Sequence, residues 1–205
     1  MNMKKNSIIG LMLIGLVALM PQFSIQAQEV SKEFKVDNFH NLDLTTVGSV
    51  YFTQASKCSV KIDGKKENVD KLDVYVENGT LNIEPKEKNL NGTKNGVNIY
   101  ITAPTLEDLV FCGVGALYCE EELKVSDFKC ALEGVGKIYI RNLKCKKLKA
   151  EVEGVGKADI HVECQGIDAE INGIGSLTLS GKTKKATIDK DGIGVVDTHN
   201  LKITE

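Results

Sequence analysis

Along the second half of the chain apolar and polar residues alternate with a period of two, and the alternation restarts about every twenty residues. In Lys147 to Glu163 the apolar set Leu148, Ala150, Val152, Ala158, Ile160 and Val162 interleaves with Lys149, Glu151, Glu153, Asp159, His161 and Glu163. Successive side chains of a strand point to opposite faces, so this pattern predicts strands with an apolar face turned to an interior and a charged face turned to water. The segments DFKCALEGVGKIYIR (Asp127 to Arg141), KLKAEVEGVGKADIH (Lys147 to His161), GIDAEINGIGSLTLS (Gly166 to Ser180) and KATIDKDGIGVVDTH (from Lys185) align column by column. Each carries the tripeptide Gly-[Val/Ile]-Gly, which occurs at Gly113, Gly134, Gly154, Gly173 and Gly192 with spacings of 21, 20, 19 and 19 residues.

A period this regular is the mark of a stacked repeat, in which one unit cannot bury its apolar face alone but a stack buries a continuous one. The expected architecture is all-β: a parallel β-helix (β-solenoid) of 19–21 residue rungs, stacked about 4.8 Å apart. A right-handed coil is expected from the usual chirality of parallel connections, and the hexapeptide rhythm of left-handed coils is absent. The paired glycines mark one corner of each rung, where a missing Cβ allows close backbone approach. The Val or Ile between them is expected to point inward.

The N-terminal half repeats the theme less strictly. Asn41 to Thr53 resembles Glu107 to Cys119, with Thr46 in place of the first glycine, and Val74 to Ile83 reads as another rung with Asn78 and Gly79 at its corner. Val97, Ile99 and Ile101 form a further strand, and Lys86 to Asn95 a longer excursion. Seven to nine rungs result, roughly, at one per twenty residues. The Asn-Gly-Thr tripeptides at Asn78 and Asn91 match a glycosylation acceptor but carry little weight.

Lys4 and Lys5, an apolar run from Ile8 to Met20, Pro21 and Ala27 make a secretory signal peptide over residues 1–27. The run is shorter than the roughly 17 to 25 residues a spanning helix needs. Gln28 is the expected mature N-terminus, and residues 28–205 the single solenoid domain. Removing Lys4 and Lys5 leaves 24 basic against 28 acidic residues, a net charge of −4. Interspersed charges of both signs argue against nucleic acid as a partner. With the first cysteine at Cys58 no lipid anchor is expected at the cleavage site, and with the last rung ending near Glu205 no membrane barrel is expected after it. No stable membrane anchor is therefore expected after cleavage, and the protein is placed in the periplasm, outside the cell or on its surface.

Glu33 to Val50 (EFKVDNFHNLDLTTVGSV), Glu77 to Ile83 (ENGTLNI), Val97 to Leu109 (VNIYITAPTLEDL) and the glycine rungs, Ile171 to Gly175 among them, together resemble the head GIN domain family of autotransporter-adhesin-like proteins. The resemblance spans nearly all of the chain after residue 27. It implies a right-handed parallel β-helix and an exported, adhesin-like binding role.

Six cysteines in an exported chain raise the question of disulfides. Cys119, Cys130, Cys145 and Cys164 fall in the apolar columns, equivalent to Ile140, Ala150, Ile160 and Leu179, where Cys acts as a small hydrophobe. Cys145 and Cys164 share a column on adjacent rungs and are the pair best placed to bridge, but buried free thiols are the favoured reading because strand-neighbour geometry often strains the S–S torsion. No Cys-x-x-Cys zinc spacing occurs.

The outward columns hold the candidate site. Glu133, Glu153, Asn172 and Asp191 precede the glycine tripeptides, and Glu151, Glu170 and Asp189 stand two residues earlier, so stacking builds acidic ladders. Like charges facing one another repel, and such a face binds a hard cation, leans on lysines such as Lys137 and Lys157, or stays solvated. Tyr118 and Tyr139, continued by Asp159 and Thr178 and joined by Tyr51, form a second column, read as cross-strand pairs or as a glycan or peptide surface. Lys144 and Lys149 should face Glu163 and Asp168 on the next rung. His40, His161 and His199 are scattered and no Gly-x-Ser-x-Gly or His-Glu-x-x-His motif occurs. No enzyme, cofactor or resident metal is expected. The expectation is a binding module whose partner is an envelope protein or glycan, with a periplasmic envelope-protein-binding domain as the alternative and a carbohydrate enzyme a distant third.

Overall fold

A computed structural model describes residues 28–87 and 96–204. The expected signal peptide over residues 1–27, most of the Lys86 to Asn95 excursion and Asn91 lie outside the described residues.

The strands follow one another as β1 (Glu29–Phe34), β2 (Asn41–Leu44), β3 (Val47–Gln54) and β4 (Ser59–Lys65), then the single-turn helix α1 (Lys66–Val69), β5 (Leu72–Glu77), β6 (Thr80–Pro85) and β7 (Val97–Ala103). The repeating part runs β8 (Asp108–Phe111), β9 (Val114–Lys124), β10 (Asp127–Leu132), β11 (Val135–Lys144), β12 (Lys147–Val152), β13 (Val155–Glu163), β14 (Gly166–Ile171), β15 (Ile174–Thr183), β16 (Lys185–Lys190) and β17 (Ile193–Ile203). Each of these pairs, β8/β9 to β16/β17, is one turn of a β-solenoid of about 5 turns.

Two parallel sheets form its walls. Even-numbered strands from β16 to β8 line one, and odd-numbered strands from β17 to β9 line the other. The expected columns are present: Asp127 pairs with Lys147, Lys147 with Gly166, and Gly166 with Lys185. Between the sheets, inward columns such as Phe111, Leu132, Val152 and Ile171 are fully buried. Ala158 sits between Ile138 and Leu177, so a small residue in one layer makes room for larger ones above and below. Burying each large aliphatic side chain contributes roughly 1.5–3 kcal/mol as an upper bound.

The structure departs in three respects from a simple stack of rungs in chain order. The layers of the N-terminal half do not follow chain order: β2/β3 lies between β8/β9 and the later β6/β7, so the coil starts inside the stack and returns to extend it on the far side. Five repeating turns with these two added layers make seven, the lower end of the expected seven to nine. Val74 to Ile83 is not a rung but an antiparallel hairpin, with Glu77 opposite Thr80. Asn78 and Gly79, at φ 50° and 77°, form the two-residue turn that suits Asn-Gly.

The third departure corrects the expected inward side chain at the corner. Val114, Val135, Val155, Ile174 and Ile193 point outward and are 46–76% exposed. The cause lies in the glycines on either side. A Cβ on Gly136 would stand 1.9 Å from the Gly115 carbonyl oxygen, and one on Gly134 would stand 2.1 Å from that of Gly113. Both glycine positions are closed against the neighbouring layer's backbone, and by strand alternation the residue between them faces the opposite way, to solvent.

The two ends differ. On the N-terminal side β4 runs antiparallel to β7 and β1 antiparallel to β4, with α1 packed beside them. On the C-terminal side, among the described residues, β16 and β17 have a neighbour on one side alone, and Ile188, Val196 and Leu201 are left partly exposed.

Gly136→Val should lower stability by about 3 kcal/mol or prevent folding, because it drives a side chain into a backbone carbonyl. Gly166→Ala, whose Cβ would meet only the flexible Lys185 side chain at 3.3 Å, should cost under about 1 kcal/mol. Urea midpoints of the two variants measure the difference.

Candidate functional site

The strands bring the predicted acidic residues into two columns. Glu151, Glu170 and Asp189 are direct partners across β12, β14 and β16, while Glu133, Glu153, Asn172 and Asp191 each occupy the residue before a corner glycine. Neither column is bare. Glu151 meets Lys149 at 2.6 Å and Lys129 at 3.5 Å. Burial works to raise its pKa, but the Lys149 and Lys129 ammonium groups outweigh it and the net shift is downward. Glu170 accepts a hydrogen bond from the Asn172 amide at 2.8 Å, and Glu133 accepts one from the Cys112 thiol at 3.1 Å. Among the described residues no three His, Cys, Asp or Glu side chains are grouped to hold a metal ion.

The lysines that the pattern set against the next rung do stand there: Lys144 pairs with Glu163 and Lys149 with Asp168 in register. Their nearest carboxylates are elsewhere. Lys144 reaches Glu122 at 2.7 Å, and Lys124 reaches the same group at 2.6 Å. Hydrogen bonds from these two ammonium groups hold the Glu122 carboxyl down at about 2. Glu122 was missed because the register slips after Ile140, so counting along the rung does not align it with its neighbours.

The tyrosine column is longer than the repeat alone indicates. Tyr100, Tyr51, Tyr118 and Tyr139 are neighbours across β7, β3, β9 and β11. The Tyr51 ring stacks on Tyr100 at 5.2 Å and on Tyr118 at 5.4 Å between centroids, nearly parallel in both cases. The cross-strand pairing is thus present, and water meets ring edges and hydroxyl groups instead of ring faces. Lys61 lies 4.8 Å over Tyr100, and Lys137 lies 5.0 Å over Tyr139. Tyr100 and Lys61 escaped the sequence because β4 and β7 lie outside the glycine repeat.

All six cysteines are free thiols. Cys119 and Cys130 are buried in their apolar columns, and burial pushes both up to about 12. For Cys112 burial, reinforced by the Glu133 carboxylate, does the same. Cys145 and Cys164 are only half-buried, on adjacent layers at the turn between sheets. The two thiols influence one another's ionisation: the neighbouring Cys145 thiol lowers the pKa of Cys164, and Cys145 is pushed up in turn. Cys164 Sγ also lies 3.4 Å from the Gly166 carbonyl and 3.5 Å from Thr183 Oγ1.

Comparison with known proteins follows the fold. The family model described as "Putative auto-transporter adhesin, head GIN domain" matches residues 38–160 and 142–205. No curated protein matches. Among solved structures, a putative adhesin from Bacteroides fragilis is 23% identical with a TM-score of 0.63, covering 84% of this chain and 97% of that one. A putative lipid binding protein from Parabacteroides distasonis is 20% identical with a TM-score of 0.76, covering 84% and 74%. A putative adhesin from Parabacteroides distasonis is 11% identical with a TM-score of 0.57, covering 83% and 97%. At these identities the likeness is one of fold.

Two outcomes follow from the local chemistry. Limiting iodoacetamide at neutral pH should alkylate the Cys145 and Cys164 pair before Cys119 or Cys130, as peptide mass mapping would show. Millimolar calcium should leave the melting temperature unchanged, since lysines already neutralise Glu151; a rise of several degrees would instead show binding to the native state.

Proposed function

The chain belongs to the head GIN domain family of putative auto-transporter adhesins, and from that membership we propose that it is an exported, non-enzymatic binding module whose ribbed outer walls engage a glycan or protein at the cell envelope. The observation that carries this reading is the tyrosine ladder. Tyr51 and Tyr100 remain 37% and 38% exposed although stacked, and lysines flank both ends of the column. Stacked rings on paired strands have little freedom left to lose when a ligand docks, and tyrosine combines apolar area with a hydroxyl donor, which is why it is enriched at recognition surfaces. Edge-on rings favour a ligand that takes hydrogen bonds from a row of hydroxyl groups, such as a glycan or an extended peptide backbone. The net charge of −4 expected for the exported chain sets nucleic acid aside.

A second reading, a periplasmic domain that binds another envelope protein, is favoured by the C-terminal layer. There β17 offers a free parallel edge and Ile203 is 63% exposed, a feature that an incoming strand could extend.

A glycan and matrix-protein screen on the purified protein tests the first reading. Tyr51→Ala and Tyr118→Ala should each weaken binding by about tenfold or more while leaving the far-UV spectrum unchanged. Surface proteolysis of intact cells separates the two readings: resistance with a purely periplasmic fraction would remove the adhesive role. Reducing-sugar release that disappears in Glu153→Gln would replace both with an enzyme.

A further inference from the structure

One column of the solenoid is apolar and turned to water along its whole length. Val47, Val114, Val135, Val155, Ile174 and Ile193 stand in register on six successive layers, the last five 46%, 52%, 48%, 53% and 76% exposed. At about 4.8 Å per layer the row extends about 24 Å. Single exposed aliphatic residues are ordinary, but a continuous rigid row of them marks an interaction surface. The Gly-x-Gly backbone holds it rigid, because from Val114 to Ile193 each ridge residue's amide is hydrogen-bonded to the layer beneath and the glycines beside it pack directly on that layer's backbone.

The row also divides charge. In two adjacent layers a carboxylate precedes it, Glu133 and Glu153, and an ammonium group follows it, Lys137 and Lys157. Acid lies on the side of the even-numbered strands and base on the side of the odd-numbered ones. We propose that this ridge is the contact between two copies of the chain, packed side by side with parallel solenoid axes about a two-fold axis running along the ridge.

That rotation keeps every layer at its own height and exchanges the two flanks. Val135 and Val155 meet their counterparts, Lys137 comes across from Glu133 of the second copy, and Lys157 from Glu153. Symmetry makes each cross pair twice. The antiparallel alternative, with the axis across the ridge, sets carboxylate row against carboxylate row and repels. The charge pattern therefore selects one arrangement. Within one copy Lys157 pairs with Asp159 at 3.3 Å, Lys137 lies over Tyr139, and Glu133 accepts the Cys112 thiol. These are exposed contacts worth little each, so exchange across the interface is inexpensive. A strip this narrow falls below the roughly 1,200 Å² of a standard interface, which makes the dimer weak and concentration-dependent.

Sedimentation equilibrium of the purified protein from micromolar to millimolar concentration tests this. A monomer–dimer equilibrium is expected, and Val155→Asp should weaken it at least tenfold with an unchanged far-UV spectrum. Lys137→Glu with Lys157→Glu should also weaken it tenfold, and adding Glu133→Lys with Glu153→Lys should restore it, a rescue that no folding role of these residues would produce. A monomer throughout, or a dimer indifferent to Val155→Asp or not rescued by the charge exchange, overturns the proposal. So does binding of phosphatidylcholine vesicles by the monomer that Val155→Asp abolishes, since a lipid surface would then occupy the ridge.

Discussion

Backbone packed directly on backbone at the Gly-x-Gly column is the contact on which the rest of this molecule depends. Val114 donates to the Thr46 carbonyl at 2.7 Å, Val135 to Gly113 at 2.9 Å, Val155 to Gly134 at 2.9 Å, Ile174 to Gly154 at 2.9 Å and Ile193 to Gly173 at 3.0 Å. This ladder runs unbroken through the corner, where a coil would ordinarily leave amide groups to water or side chains. It leaves no space for a Cβ at either glycine. Because a slip of one residue would bring a side chain into that space and also reverse every inward position, the corner locks the register of both walls.

Once the register is locked, like stacks on like, and the outer walls become sets of columns. Inward columns are sorted by volume, as where Ala158 lies between Ile138 and Leu177. Outward columns are sorted by charge: Lys129 and Lys149 converge on Glu151, and Lys124 and Lys144 on Glu122. These pairs are mostly exposed and individually weak. Their role is to relieve the repulsion that in-register stacking of carboxylates imposes, while the buried columns supply the driving force. What remains after this sorting, the tyrosine ladder and the aliphatic ridge, is repetitive and turned partly to solvent.

Much of this was legible in the sequence. Aligning rungs on their glycines places Cys119 with Ile140, Tyr118 with Tyr139 and Glu151 with Glu170 as neighbours, and the sheets place them so. Alternation shows that a segment is a strand but not which strand lies beside it, so the return of β6/β7 beyond β2/β3 was hidden. Val74 to Ile83 alternates as a rung does, and only the paired positive φ angles of Asn78 and Gly79 turn it into a hairpin. The orientation of Val135 depends on the layer beneath, through the Gly113 and Gly115 carbonyls. Periodicity within one rung is silent about that layer. The register slip after Ile140 likewise hid Glu122 and its two lysines.

A stack held by nearest-neighbour layers has a stability that varies along its length. Native-state hydrogen exchange at the corner amides measures this most directly. Protection at Val135 and Val155 should approach that of global unfolding and fall through Ile174 to Ile193 in the open final layer. Exchange of Val135 and Val155 at the rate of an unstructured chain, or equal protection of all four, would contradict the account.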